Sequence, residues 1–336
     1  MWNKFISNTR LFLIILLFVK IFETIFGANN SLVGVSILIT ILILKYENLT
    51  NNFGRNFFKI ISINLLSAIF CYLSTNNIYF GILLNFIILF TITYTFTYKL
   101  NKMMVIPFGL QYLFMLYTPV YGYDFIKRLV GLALGAILVM FIQIITYGKT
   151  KNNKIKIISL KRGNQNSLKI NRTYIKNKFI DIYTNFKNNH IRFSYSMRIA
   201  IITTLSIFIV DFFNLSEGRW IVYTVFSLTE LYSENCIKKS KQRLQGTIIG
   251  GIIIVLLFMI IKDNTIRALI ILLAGYLDSY TTNYRDKVIC ITMSVVASIS
   301  LTHNMPILVA TKRLVYVALG ILLAIFADKI IFNKDS

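Results

Sequence analysis

The sequence predicts an all-α membrane protein of about twelve transmembrane helices, arranged as two parallel six-span repeats joined by a short basic cytoplasmic linker. Three observations carry this. Apolar runs recur from end to end in a chain that is 56% hydrophobic and 15% charged, more apolar surface than one soluble domain of 336 residues can bury. The segment "KRLVGLALG" at Lys127–Gly135 returns as "KRLVYVALG" at Lys312–Gly320, identical at seven of nine positions and 185 residues on. Lysine and arginine concentrate in alternate breaks between the runs.

The first set of runs lies at 11–26, 31–45, 59–75, 78–98, 103–119 and 125–147, the second at 194–213, 219–232, 246–261, 265–281, 288–302 and 307–331. A helix needs roughly 20 residues to cross the hydrocarbon, so the longer runs suffice and the second and fifth of each set, about 15 residues each, are marginal. These cross as short helices or re-enter under cover of their neighbours. The first run follows Lys4 and Arg10 like a signal peptide, but no small-x-small cleavage site follows it, so an uncleaved first helix is expected.

With the N-terminus inside, the internal segments hold 28 of the 36 basic residues, and the tail also ends inside. The net charge of +23 is then a consequence of topology; it gives no reason to invoke nucleic acid and adds attraction to anionic lipid headgroups. Richness in Ile, Asn and Lys suggests an AT-rich bacterial genome.

Aligning the halves places Arg10 on Arg198, Arg55 on Arg243, Asn77 on Asn264 and Tyr98 on Tyr284, at offsets that drift only from 188 to 186. This is the pattern of a diverged duplication. Six spans return each half to its starting side, so the repeats at 1–147 and 194–336 are parallel, a geometry suited to a pathway between them. The linker, 148–193, reads as a short hairpin in "KIKIISLKRGNQNSLKI" followed by an amphipathic surface helix carrying Ile170, Tyr174, Phe179, Ile182, Tyr183 and Phe186.

The second half carries "SYSMRIAIITT", "EGRWIVYTVFSLTE" and "KKSKQRLQGTIIGG". Arg198, then Gly218 and Trp220 with Thr224, then Arg243, Gly246, Thr247 and Gly250, resemble the membrane module of the fusaric acid resistance and aromatic acid exporter family. The resemblance is good over 194–262; the first half departs from it, with no Trp after "GANNSL" and "FFKI" after Arg55. It implies an inner-membrane efflux protein for small aromatic or other organic acids. Plant malate channels of similar six-span architecture suggest a passive anion pathway as the related alternative.

Ionisable groups within spans need a partner, water or a function. Lys127 with Arg128, and Lys312 with Arg313, stand at the outer entrance of the last span of each half. Adjacent helical residues point about 100° apart, so only one of each pair need face the interior, and arginine is the better carboxylate ligand. Interfacial anchoring is the competing reading. The glycines of the following "ALG", Gly135 and Gly320, would let another helix approach. Trp220 is a belt residue or a stacking surface for substrate, with Thr224 beside it. Glu230 is the preferred proton-coupling carboxyl and Asp278 the second, against the reading that each pairs with a nearby cation.

Cys71, Cys236 and Cys290 give no disulfide framework, and His190 and His303 have no companions at metal spacing. No phosphate-binding Gly-Lys-Ser/Thr loop and no nucleophile-base-acid set stands out, so neither an enzyme nor a cofactor is expected. The expectation is a secondary transporter of a small organic anion. A gated anion channel or a scaffold subunit competes, and the sequence leaves a homo-oligomer or an accessory efflux partner open.

Overall fold

Each apolar run becomes a helix, because a chain immersed in hydrocarbon must satisfy its own backbone hydrogen bonds. The structure is a computed structural model describing residues 2–97, 102–158, 190–231, 233–303 and 305–332. Twelve helices follow in order: α1 (Trp2–Phe26), α2 (Ser31–Leu44), α3 (Phe53–Ser74), α4 (Ile78–Phe96), α5 (Val105–Leu116), α6 (Tyr123–Ile158), α7 (His190–Phe212), α8 (Arg219–Leu228), α9 (Ser233–Ile260), α10 (Asn264–Asp278), α11 (Tyr284–His303) and α12 (Pro306–Phe332). There is no strand among the described residues.

Local chemistry sets the ends. Gly27, at φ +89°, makes the left-handed turn that stops α1 before α2. The Asp263 carboxylate accepts from the backbone N–H groups of Thr265 and Ile266 and starts α10. Arg267 donates to the carbonyls of Ile261 and Phe258, which α9 leaves open at its end. Pro306, whose missing N–H costs nothing in a first turn, begins α12.

Among the described residues, six helical segments are long and apolar enough to cross a membrane: Thr50–Ser74, Ile78–Phe96, Tyr123–Tyr147, Ile191–Phe212, Asn235–Ile260 and Pro306–Lys329. Four helices are short, at 14 residues for α2, 12 for α5, 10 for α8 and 15 for α10. The short members of the second half are thus its second and fourth elements, not its second and fifth. The fifth, α11, runs for 20 residues because it starts within the charged break at Tyr284, Arg285 and Asp286, and a helix can continue past the edge of the hydrocarbon.

The linker expectation also changes at its start. Lys154–Ile158, read as the first strand of a hairpin, are the last residues of the 36-residue helix α6, since a helix once nucleated gains a hydrogen bond with each added residue. The remainder of that hairpin and the amphipathic surface helix lie outside the described residues.

The chain forms two compact units that are not simply its sequence halves. One holds residues 1–21, 74–86 and 198–336; here α9 packs on α11 and α12, α10 on α11, and α8 on α12. The other holds 22–73 and 87–197, where α2 packs on α5 and α6.

Glycines mark the close crossings. A Cβ on Gly250 would stand 2.7 Å from the Ile289 carbonyl oxygen, and one on Gly246 would stand 2.7 Å from that of Arg285, so α9 meets the backbone of α11. On Gly320 it would stand 2.9 Å from the Ile221 carbonyl oxygen and 2.8 Å from Thr224 Cβ, where α12 meets α8. On Gly135 it would meet only the Ile37 side chain, at 2.6 Å.

Candidate functional site

Helix α8 is the unusual element. At 10 residues it is about 15 Å long, half the hydrocarbon thickness. Trp220, Ile221, Val222, Thr224, Val225, Phe226 and Leu228 are all buried, while Arg219, Tyr223 and Ser227, spaced i, i+4 and i+8, form one partly exposed face. A helix this short is stable where protein covers most of it. The start of α8 packs into a cluster of Trp220, Ile254, Phe258, Ile270, Val296, Ala297 and Val309, drawn from α8 through α12, and its end into a cluster with Cys236, Val317, Ile321 and Ala324.

Trp220, Thr224 and Ser227 lie at i, i+4 and i+7, one stripe of α8. The α12 residues that meet this stripe are Arg313, Tyr316 and Gly320. The Arg313 guanidinium lies 5.3 Å from the Trp220 ring centroid, and Tyr316 sits beside the same indole at 6.4 Å between centroids. Arg313 is only 5% exposed, its Nε has no hydrogen-bond partner, and among the described residues no carboxylate bonds to it. The charged groups whose fields act on it are Arg243 and Arg219, both cations. Arg219 is occupied by Glu217 at 2.6 Å. The Thr224 hydroxyl, fully buried, also lacks a partner.

Arg243, from α9, reaches the lower part of the stripe. Its Nη1 donates to Ser227 Oγ and to the Tyr284 hydroxyl, both at 2.9 Å, while its Nε is buried without a partner. Beyond it, Glu230 is buried and paired with Lys239 at 2.5 Å. The proton-coupling candidate therefore already holds a cation. Asp278, at the end of α10, accepts from the Thr281 hydroxyl at 3.3 Å and does not join the stripe. Thr247 donates to the Arg243 carbonyl, a bond within α9.

Arg198 is a tie between elements. It is completely buried and forms an ion pair with Asp328 of α12, and its Nη2 donates to the carbonyls of Glu230 and Leu231, just past the end of α8, at 2.7 and 3.2 Å. Gly218 closes the turn before α8, where a Cβ would stand 2.7 Å from Val210.

In the other unit, Arg128 of α6 is 2% exposed and supplied with acceptors. Its Nε donates to Asn30 Oδ1 at 2.8 Å, and its Nη2 to the carbonyls of Asn29 at 3.1 Å and Thr118 at 2.8 Å. Nη1 reaches the Met115 carbonyl at 3.5 Å. Arg128 thereby joins the turn before α2 to the end of α5. Of each Lys-Arg pair the lysine lies toward the surface: Lys127 over the Tyr123 ring at 4.8 Å, and Lys312 on Ser216 Oγ at 3.1 Å.

Sequence reasoning missed Asp328, Ser227, Tyr284 and Asn30. Asp328 left a signal, as an acid inside the apolar run "ILLAIFADKII"; the other three are ordinary residues that matter only through the arginines they meet. A cavity of about 470 Å³ runs along Ile6, Ser7, Arg10, Leu11 and Ile14 of α1 and shares none of those residues with the α8–α12 seam.

The fold and these buried charges define a multi-pass helical membrane protein. Residues 205–327 match the family model described as fusaric acid resistance protein-like, whose members are membrane transporters. The match contains α8 through most of α12, including Trp220, Arg243 and Arg313, and begins after Arg198. No curated protein and no solved structure matches the chain.

Proposed function

We propose that the protein is a secondary transporter of the cytoplasmic membrane that exports small organic anions, aromatic carboxylates among them, and that Arg313 and Trp220 bind the anion. One observation carries the reading: Arg313 is buried against an indole with no protein carboxylate bonded to it. A buried guanidinium without an acceptor is costly, and an incoming carboxylate supplies the two parallel hydrogen bonds it lacks. The indole offers a flat face to a ring or an apolar body, and Thr224 adds a hydroxyl. Because Trp220, Thr224 and Arg313 are buried, helix movement must open the seam to each side in turn.

Glu230 is the proposed site of proton exchange. Protonation there would release Lys239 at the end of α8 opposite Trp220.

Counterflow of labelled 4-hydroxybenzoate in proteoliposomes tests this. Saturable exchange is expected, reduced at least tenfold by Arg313→Gln with folding intact. Undiminished exchange in Arg313→Gln removes the site, and large unitary currents in place of saturable exchange favour a channel. Glu230→Gln is expected to keep counterflow while losing transport driven by a pH gradient.

A further inference from the structure

Two arginines meet the α8 stripe, Arg313 from α12 and Arg243 from α9, and among the described residues neither forms an ion pair. Around it, Arg219 is neutralised by Glu217, and Lys239 by Glu230. That leaves Arg313 at the level of Trp220 and Arg243 at the level of Ser227. Seven residues of helix, about 10 Å of rise, separate those levels. One small anionic group cannot contact both.

Three buried polar atoms along this path lack partners: Arg313 Nε, Thr224 Oγ1 and Arg243 Nε. Buried polar atoms in proteins are nearly always hydrogen-bonded, so two like charges with an unpartnered hydroxyl between them mark a place where acceptors are supplied from outside the chain. Two cations held this close also repel, and a ligand carrying two negative charges relieves both at once.

We infer that the seam binds an elongated dianion, a molecule with an acidic group at each end, one held by Arg313 over Trp220 and the other by Arg243 with the Ser227 and Tyr284 hydroxyls. Thr224 lines the path between them. This rests on the reading of Arg313 and Trp220 as an anion site and adds a second station and a preferred charge.

The chain has two tryptophans, Trp2 and Trp220, so in a Trp2→Phe protein the indole fluorescence reports on the site alone. The purified protein is titrated with butanedioate, hexanedioate and octanedioate and with the monomethyl ester of each, which keeps the length and removes one charge. The best-fitting dianion is expected to bind at least tenfold tighter than its monoester. Arg243→Gln is expected to erase that ratio while leaving monoester affinity within twofold, and Arg313→Gln to abolish both responses. Equal binding of dianion and monoester overturns the inference and leaves the anion site standing, as does a ratio unchanged in Arg243→Gln. No response to any dianion, monoester or benzoate overturns the site itself. Should Arg243→Gln not fold, the wild-type ratio decides.

Discussion

Arg128 and Arg313 occupy the same position in the same nine-residue motif, and both are buried, yet one is supplied with acceptors and the other has none. The difference lies in the turn before the second helix of each half. In the first half that turn ends in Asn29 and Asn30, whose carbonyl and amide oxygens face Arg128. At the offset of 188 that joins Arg10 to Arg198, Asn30 falls on Gly218, Leu32 on Trp220 and Ser36 on Thr224. Glycine offers no amide, and the turn's remaining polar side chains go to other cations, Ser216 to Lys312 and Glu217 to Arg219. Arg313 is left facing an indole. The two halves thus share a motif that directs an arginine inward and differ in what awaits it: a clamp between elements in one, an unfilled acceptor demand in the other.

The largest effect should come from removing the clamp. Arg128→Gln strips a donor from several buried oxygens at once and is expected to cost at least about 3 kcal/mol, seen as lost expression or a much lower Tm in detergent. Arg313→Gln, by contrast, removes a buried charge without acceptors and should leave stability within about 1 kcal/mol or raise it. Equal destabilisation by the two would break the comparison.

The repeated glycines sharpen it at a smaller scale. Gly320→Ala drives a methyl into the Ile221 carbonyl and Thr224, which are fixed in α8, and should cost about 1–3 kcal/mol. Gly135→Ala has side-chain atoms of the buried Ile37, and no backbone atom, as its nearest contacts, and should cost less than Gly320→Ala. Thermal unfolding of the two variants side by side reads the difference; a larger loss for Gly135→Ala would contradict the packing.

Smaller again are the lysines. Lys127→Ala and Lys312→Ala should each fall within about 0.5 kcal/mol of the parent, since their partners are an aromatic face and a hydroxyl near the surface.

The smallest effect belongs to Asp263, fully exposed at the start of α10. The backbone N–H groups of Ile266 and Thr265 hold its carboxyl below the usual aspartate range. A carboxyl depressed in the folded state contributes stability that is present above its unfolded pKa and lost as pH falls through the folded one. Asp263→Ala should therefore give slightly faster amide exchange in the first turn of α10 at neutral pH, and the difference from the parent should shrink on acidification.

Much of this protein was readable from composition and spacing. Apolar runs located all twelve helices, because in hydrocarbon the backbone has no other way to satisfy itself. The motif around Arg198, Trp220 and Arg243 pointed to the region that the family match covers in large part. Element length was less legible. The apolar run at 288–302 gave no sign that α11 would continue into charged residues, and the run at 219–232 does not disclose a ten-residue helix with seven buried residues. Both depend on what surrounds the segment.

The sequence by itself determined that an arginine would stand at the head of each half's last helix, and helical geometry said that only one member of each Lys-Arg pair need turn inward, with interfacial anchoring as the competing reading. Tertiary structure alone decided what that arginine meets. Asn30 is 98 residues from Arg128, and Trp220 is 93 residues from Arg313. Hydrogen bonds and buried charge depend on atoms a few ångströms apart, and only the packing of α2 on α5 and α6, and of α8 on α12, brings such distant residues within that reach.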